Sequence, residues 1–118
     1  MTVETSIYTA LKSLVSNRVY RGIAPDTVTD LPRITFQQVG GERTNFLEGG
    51  PVGLRTPRVQ INVWHSRYDD ATALAIQVEH ALLSYTALQA EALGDFVVEQ
   101  EEGTGLFGTR QDFQFVTT

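Results

Sequence analysis

The sequence contains no cysteine and only two histidines among its 118 residues. The first absence excludes disulfide bonds, thiolate catalysis and every metal site that needs a cysteine ligand. His65 and His80 are far apart and show neither HxH nor HExxH spacing, so they make a weak case for a metal site. We expect His65 at the rim of the core and His80 on the polar side of a helix. The sequence therefore predicts no cofactor and no metal.

Long apolar stretches are also missing. No run approaches the roughly 20 residues that a helix needs to cross a bilayer. Residues 1–5 show neither a basic start nor an apolar stretch, so no signal peptide is predicted. The length is typical of one domain. We expect a single domain over residues 1–118 that is made and kept in a cytosol and has no membrane partner.

Lysine is scarce, since Lys12 stands alone beside eight arginines. The net charge of −5 argues against specific nucleic-acid binding, which needs a basic face. The charge is uneven: residues 1–68 hold eight basic and five acidic residues, whereas residues 69–118 hold one basic and nine acidic residues. Two explanations stay open. One is chance in a small sample, and the other is a pair of oppositely charged faces that attract in copies of the same chain.

Two apolar stripes at helical spacing predict two helices. The first covers residues 4–16 and stops at Asn17. The second has Asp69 as its N-cap and continues to about residue 86, and residues 86–94 form a connection. Because each helix has one apolar stripe, both can cover a single face of a sheet.

Alternating apolar and polar residues predict the strands. Residues 58–67 alternate most clearly, with Val59, Ile61 and Val63 on one face and Arg58 and Trp64 on the other. Further strands are predicted at 19–23, 33–39, 96–102 and 106–116, the last two as a hairpin. The predicted fold class is α+β, with a mostly antiparallel sheet of four to five strands and two helices packed on one face.

Residues 40–57 contain five glycines and two prolines. Phe46 and Leu47 are the only pair of large apolar residues before Val52. A connection this long is uncommon in a compact domain and is usually functional or disordered. We predict a long flexible loop at about 40–57.

Motifs for catalysis are lacking. Glu99 and Glu101 share a strand face, but acid–base work or cation binding needs burial or further ligands, so a solvated face is favoured. The glycine run at 49–53 has neither the P-loop lysine nor the dinucleotide spacing. Trp64 lies beside Arg58 by parity, which favours a protein interface over the alternative of a core tryptophan at a sheet edge. We predict that the protein is not an enzyme.

Three segments resemble the small tail completion, or tail terminator, proteins of long-tailed bacteriophages and prophages, and together they cover nearly the whole chain in the right order. They are 18–36 (RVY through AP to LPRITF), 58–82 (RVQINVW and the following helix) and 110–115 (RQDFQF). The resemblance implies a ring, usually of six copies, that caps the finished tail tube and offers a surface to the head connector. It also implies no catalytic residue and no cofactor, assembly in the cytoplasm of the bacterial host, and a final place in the virion.

A ring needs a heterologous interface, in which one patch meets a different patch on the next copy. The implied partners are further copies of the chain, the tail tube protein and the head–tail connector protein. The predicted interface residues are Arg43, Phe46, Leu47, Arg55, Arg58 and Trp64. Two alternatives stay open: another phage assembly component, such as a head–tail connector or a tail tube subunit, and a small enzyme or ligand-binding domain that uses His65 with Glu99 or Glu101.

Overall fold

The computed structural model describes residues 2–25, 29–45 and 53–117. Two α-helices and six strands follow one another in these ranges, and short 3-10 helices lie at Lys12–Leu14 and Thr86–Leu88. In chain order the elements are α1 (Val3–Leu11), β1 (Val19–Arg21), β2 (Arg33–Asn45), β3 (Gly53–His65), α2 (Tyr68–Ser84), β4 (Glu91–Ala92), β5 (Val97–Gln100) and β6 (Phe107–Gln114).

The strands form one sheet in the order β1-β2-β3-β6-β4, and β5 also pairs with β6. β1 runs parallel to β2, and the other pairs are antiparallel. The predicted α+β class is confirmed, but the described residues contain six strands rather than four to five. β4 was predicted as part of a connection. It has only two residues, which is too short for an alternating pattern to show.

Both helices pack on one face of the sheet, which we call the covered face. α1 buries Ile7 and Leu11 there, and α2 contacts β3 and β6. Alternate residues of the strands complete this core. The strand and helix residues in it include Ile34, Phe36, Val59, Ile61, Val63, Leu74, Val78, Leu82 and Phe113. Neither helix lies on the opposite face, which we call the open face.

The helix ends agree only partly with the predictions. α1 ends at Leu11 and the 3-10 turn after it ends at Leu14, so the helix is shorter than the predicted 4–16, and the positive φ angles of Ser16 and Asn17 (50° and 69°) prevent it from continuing past the predicted stop. The predicted N-cap of α2 is wrong, because α2 begins at Tyr68 and its N-cap is Arg67. Asp69 and Asp70 lie in the first turn instead, where a carboxylate interacts favourably with the positive end of the helix dipole.

The prediction of a loop over 40–57 is wrong for the described part of that range. Residues 40–45 continue β2, residues 53–57 belong to β3, and the two segments pair in register. The register shifts between Gln38 and Gly40, which marks a β-bulge. The glycines of this range therefore lie inside a strand pair. Residues 46–52, with Phe46 and Leu47, lie outside the described residues.

Candidate assembly surfaces

The β2–β3 hairpin extends beyond the rest of the sheet. β6 pairs with β3 only from Arg58 to His65. Residues 40–45 and 53–57, which we call the hairpin extension, pair with each other. A bridge joins them to the chain end, because Arg55 and Thr117 exchange N–H···O bonds of 2.8 and 2.9 Å. Phe115 N–H also donates to Pro57 O at 3.0 Å. A two-stranded hairpin is only marginally stable in water, so contact with another surface would stabilise this extension.

Two arginines face each other across the hairpin extension. Arg43 is directly opposite Arg55 in the register, and both side chains are exposed. Neither forms an ion pair with any carboxylate in the described ranges. Like charges directly opposite each other destabilise a strand pair. This pair therefore favours contact with an anionic group from outside the described chain.

A groove of about 490 Å³ lies between the hairpin extension and the start of α1. Arg21, Arg43 and Arg55 line it, so we call it the arginine groove. Arg21 Nη1 is 3.3 Å from Glu4 Oε2, which also lines the groove, as does Glu42. Three of its apolar lining residues, Phe36, Pro57 and Val59, are buried.

Arg58 and Trp64 lie on the other side of the sheet. They alternate with Val59, Ile61 and Val63 along β3, so they belong to the open face. The predicted interface set is thus divided: Arg43 and Arg55 line the arginine groove, while Arg58 and Trp64 lie on the open face. The alternation along β3 predicted the side of Arg58 and Trp64. Alternation gives no side for Arg43 and Arg55, because the glycines of their segment predict a loop.

Arg58 already has a partner in its own chain. Its Nη2 and Nε lie 2.6 and 2.8 Å from Asp112 Oδ2, which makes a charge-assisted pair between β3 and β6. The charge of Arg58 is therefore less available to another molecule than the charges of Arg43 and Arg55.

Replacing Arg58 with glutamine is expected to lower the free energy of unfolding by less than about 1 kcal/mol, because half-exposed ion pairs contribute little. The side chains of Arg58 and Asp112 are 51% and 20% exposed. Urea denaturation measures the change, and Arg67→Gln is the matched control, since Arg67 is exposed and forms no ion pair within the described ranges. A loss above about 2 kcal/mol would contradict this view of the pair and indicate a buried one.

Trp64 packs flat against the sheet without entering the covered core. A Cβ built on Gly108, its neighbour across β3 and β6, would lie 2.7 Å from Trp64 Cζ3. The indole Nε1 donates a 3.4 Å hydrogen bond to Thr35 Oγ1. The ring is half-buried, so part of it remains available on the open face. Glycine at position 108 is what allows the large ring to lie against the strand.

The acidic residues in and just after β5 do not meet His65. Glu99 and Glu101 line a groove on the open face with Arg33 and Trp64, and His65 is not among its lining residues. Glu99 pairs with Arg110 at 2.8 Å.

In the part of the chain that the structure describes, no group of three or more histidine, aspartate or glutamate side chains could hold a metal ion. Within the same ranges no helix is long and apolar enough to span a membrane.

Comparison with protein families gives a match to the family model described as "Tail completion protein gp17", over residues 6–118. The match includes every strand of the sheet, α2 and most of α1. The chain belongs to the tail completion family. The resemblance seen in the sequence is thereby confirmed, and the protein is a structural component of a phage tail and of the virion.

A solved structure shows the same fold. One chain from the virion of a native gene transfer agent (GTA) particle superimposes with a TM-score of 0.60 at 14% sequence identity. The alignment covers 97% of the present chain and 92% of that chain. No curated protein gives a significant sequence match. At this identity the likeness concerns the fold alone, so the family match carries the assignment of the tail completion protein.

Proposed function

We propose that this tail completion protein assembles into a ring of six copies that caps the finished tail tube and joins it to the head connector. The observation that carries the proposal is the hairpin extension. It projects beyond the sheet and carries Arg43 directly opposite Arg55 without a carboxylate partner among the described residues. A strand pair of this kind is stabilised when a second molecule supplies the missing counter-charge.

The open face supplies a second surface for assembly. Trp64 is half-buried there, and Ile23 beside it is 88% exposed. Both line one groove with Arg33, and exposed apolar groups among arginine and tryptophan are typical of protein interfaces. Two distinct surfaces suit a protein that contacts both its own copies and a second partner. We assign the arginine groove to contacts between copies, and we assign the part of the open face around Ile23, Arg33 and Trp64 to the tail tube or the connector.

The overall charge fits a position around DNA. The chain carries a net charge of −5, and a ring multiplies that charge. A negatively charged lumen repels the phosphate backbone, so DNA can pass without binding to the wall. The GTA chain with the same fold comes from a virion, which supports assembly with other virion proteins.

Two other places in phage assembly remain as alternatives, a head–tail connector and a tail tube subunit. A tube subunit stacks into long polymers, whereas a terminator stops at one ring. The third alternative, a small ligand-binding domain that uses His65, has less support, because His65 does not line the groove that contains Glu99 and Glu101.

Negative-stain electron microscopy of the purified chain with and without tail tubes tests the proposal. We expect one ring at one end of each tube. Tubes that grow longer when the chain is added would indicate a tube subunit. Binding to isolated head connectors but never to tube ends would indicate a connector. A chain that binds neither tail tubes nor head connectors would contradict all three places in phage assembly: tail terminator, tube subunit and head–tail connector.

A further inference from the structure

The turn between β5 and β6 carries a pair of exposed carboxylates. Residues 101–106, which we call the acidic turn, are held by two backbone bonds: Glu101 N–H donates to Leu106 O at 2.7 Å, and Gly105 N–H donates to Glu101 O at 3.1 Å. The Thr104 hydroxyl donates to Glu101 Oε1 at 2.9 Å. Glu102 is exposed and forms no ion pair with any residue of the described ranges. The turn thus presents two adjacent negative charges on an ordered backbone.

The acidic turn and the arginine groove lie toward opposite ends of the molecule. Arg55 and His65 are ten residues apart along β3, which corresponds to about 33 Å at the rise of an extended strand. Phe107 is opposite His65, and the acidic turn lies just before Phe107. The two charged regions therefore cannot meet within one chain.

We infer that the acidic turn of one copy docks in the arginine groove of the next copy. Carboxylates of Glu101 and Glu102 would face Arg43 and Arg55, and arginine binds carboxylates in a strong, geometrically specific fork. The buried apolar residues that line the groove, such as Phe36 and Val59, exclude water on one side of the contact.

Such a contact joins two different patches, so it is heterologous and generates a ring or an open filament. The unequal charge of residues 1–68 and 69–118 then has a structural meaning, because the basic part supplies the groove and the acidic part supplies the turn. This inference rests on the proposed self-assembly and names the two surfaces that carry it.

Charge reversal tests the pairing. Arg43→Glu/Arg55→Glu and Glu101→Lys/Glu102→Lys are each expected to lower the association constant about 100-fold, because each variant replaces attraction by repulsion at close range. An equal mixture of the two variants is expected to recover the assembly, since the reversed groove of one then fits the reversed turn of the other. Sedimentation velocity over a range of concentrations measures both effects.

A matched control separates this pairing from the effect of total charge. Lys12→Glu/Arg67→Glu changes the net charge by the same amount as the groove variant, and both residues are exposed. We expect this control to assemble like the unchanged chain. Circular dichroism and thermal unfolding check that all variants keep the fold. If the control lost assembly as fully as the groove variant, the specific pairing would be overturned.

Disulfide trapping gives a second measurement that does not depend on charge. The chain has no cysteine, so single replacements are unambiguous. Mixing Arg55→Cys with Glu102→Cys under mild oxidation is expected to yield a crosslinked dimer of the two variants. Mixing Arg55→Cys with Ser13→Cys is expected to give none, because Ser13 lies outside both surfaces.

The outcomes distinguish the pairing of the acidic turn with the arginine groove from the proposed ring. If the unchanged chain assembles, but reversal has no effect and no crosslink forms, the pairing is wrong while the proposed ring stands. If the unchanged chain stays monomeric both alone and with tail tubes, the ring and the pairing are overturned together. If the groove variant alone loses assembly and the turn variant does not, the groove binds a different anionic partner and the pairing is also wrong.

Discussion

Replacing Phe113 with alanine is expected to lower the free energy of unfolding by about 3–5 kcal/mol. Phe113 is fully buried on the covered face, and its ring stacks against Phe115 with centroids 6.4 Å apart. It is opposite Val59 on β3 and Ala92 on β4, so one side chain joins three strands. Removing it leaves a cavity where the helices meet the sheet, and small domains have only about 5–15 kcal/mol of stability to lose.

Guanidinium denaturation, with thermal unfolding beside it, measures this loss. A change of this size corresponds to a decrease in Tm of roughly 15–25 °C for a domain of this length. Phe107→Ala is the matched control on the same strand. Phe107 is only half-buried and makes an edge contact with Tyr68, a residue that is itself 53% exposed. We expect the control to lose about 1–2 kcal/mol. Equal losses for the two variants would show that Phe113 does not lie at the centre of the core.

The best sequence predictions came from segments with a long and regular pattern. Val59, Ile61 and Val63 alternate with polar residues because β3 has a helix layer on one side only, so the pattern alone placed them in the core. The stripe of α2 was predictable for the same reason, since Leu74, Val78 and Leu82 follow the helical period. A long apolar pattern at the strand or helix period therefore indicates which side chains are buried.

Local patterns could not predict that β1 pairs parallel to β2, and they could not predict that β4 is a strand. Val19–Arg21 and Glu91–Ala92 are three and two residues long, so neither shows a period. Their strand conformation depends on partners that are distant in sequence. β1 pairs with residues 34–36, and β4 pairs with Phe113 and Gln114. Contacts of this kind exist only after the sheet has formed.

The sequence indicated which residue types are candidates for an interface, but it indicated the side of the sheet for only some of them. Arginine-rich composition makes Arg43 and Arg55 candidates for an interface, but a loop carries no information about which side a residue faces. Only the strand register places these two side chains opposite each other and in one groove. The intrachain partner of Arg58 was also invisible in the sequence, since Asp112 is 54 residues away.

Glycine caused the main error in the fold prediction, and its role in the hairpin extension can be tested. Gly41 has a φ of +132°, a conformation that side chains rarely adopt, and a Cβ placed there would lie 2.5 Å from Thr56 O and 2.7 Å from Pro57 Cα. Both of these atoms belong to the backbone of the partner strand and cannot rotate away. The sequence shows a glycine at this position as a loop signal, whereas the structure requires it because two backbones approach closely.

Gly41→Ala is therefore expected to lower the free energy of unfolding by about 2–4 kcal/mol, or to open the hairpin extension locally. Gly40→Ala is the matched control, because Gly40 has a similar φ of +145° but nothing lies within 4 Å of its added Cβ. The control carries the backbone strain without the clash, with an expected loss of about 1–2 kcal/mol. Denaturation and amide exchange at residues 53–57 measure the global and the local effect.

The two variants also separate the fold of the hairpin extension from its charge. Gly41→Ala leaves Arg43 and Arg55 in the chain but disturbs the register that sets them opposite each other. If assembly needs only positive charge in this region, the variant will assemble normally wherever it remains folded. If assembly needs the two guanidinium groups in one groove, it will fail at concentrations where Gly40→Ala still succeeds. We expect the second result, because an arginine fork recognises a carboxylate by geometry as well as by charge.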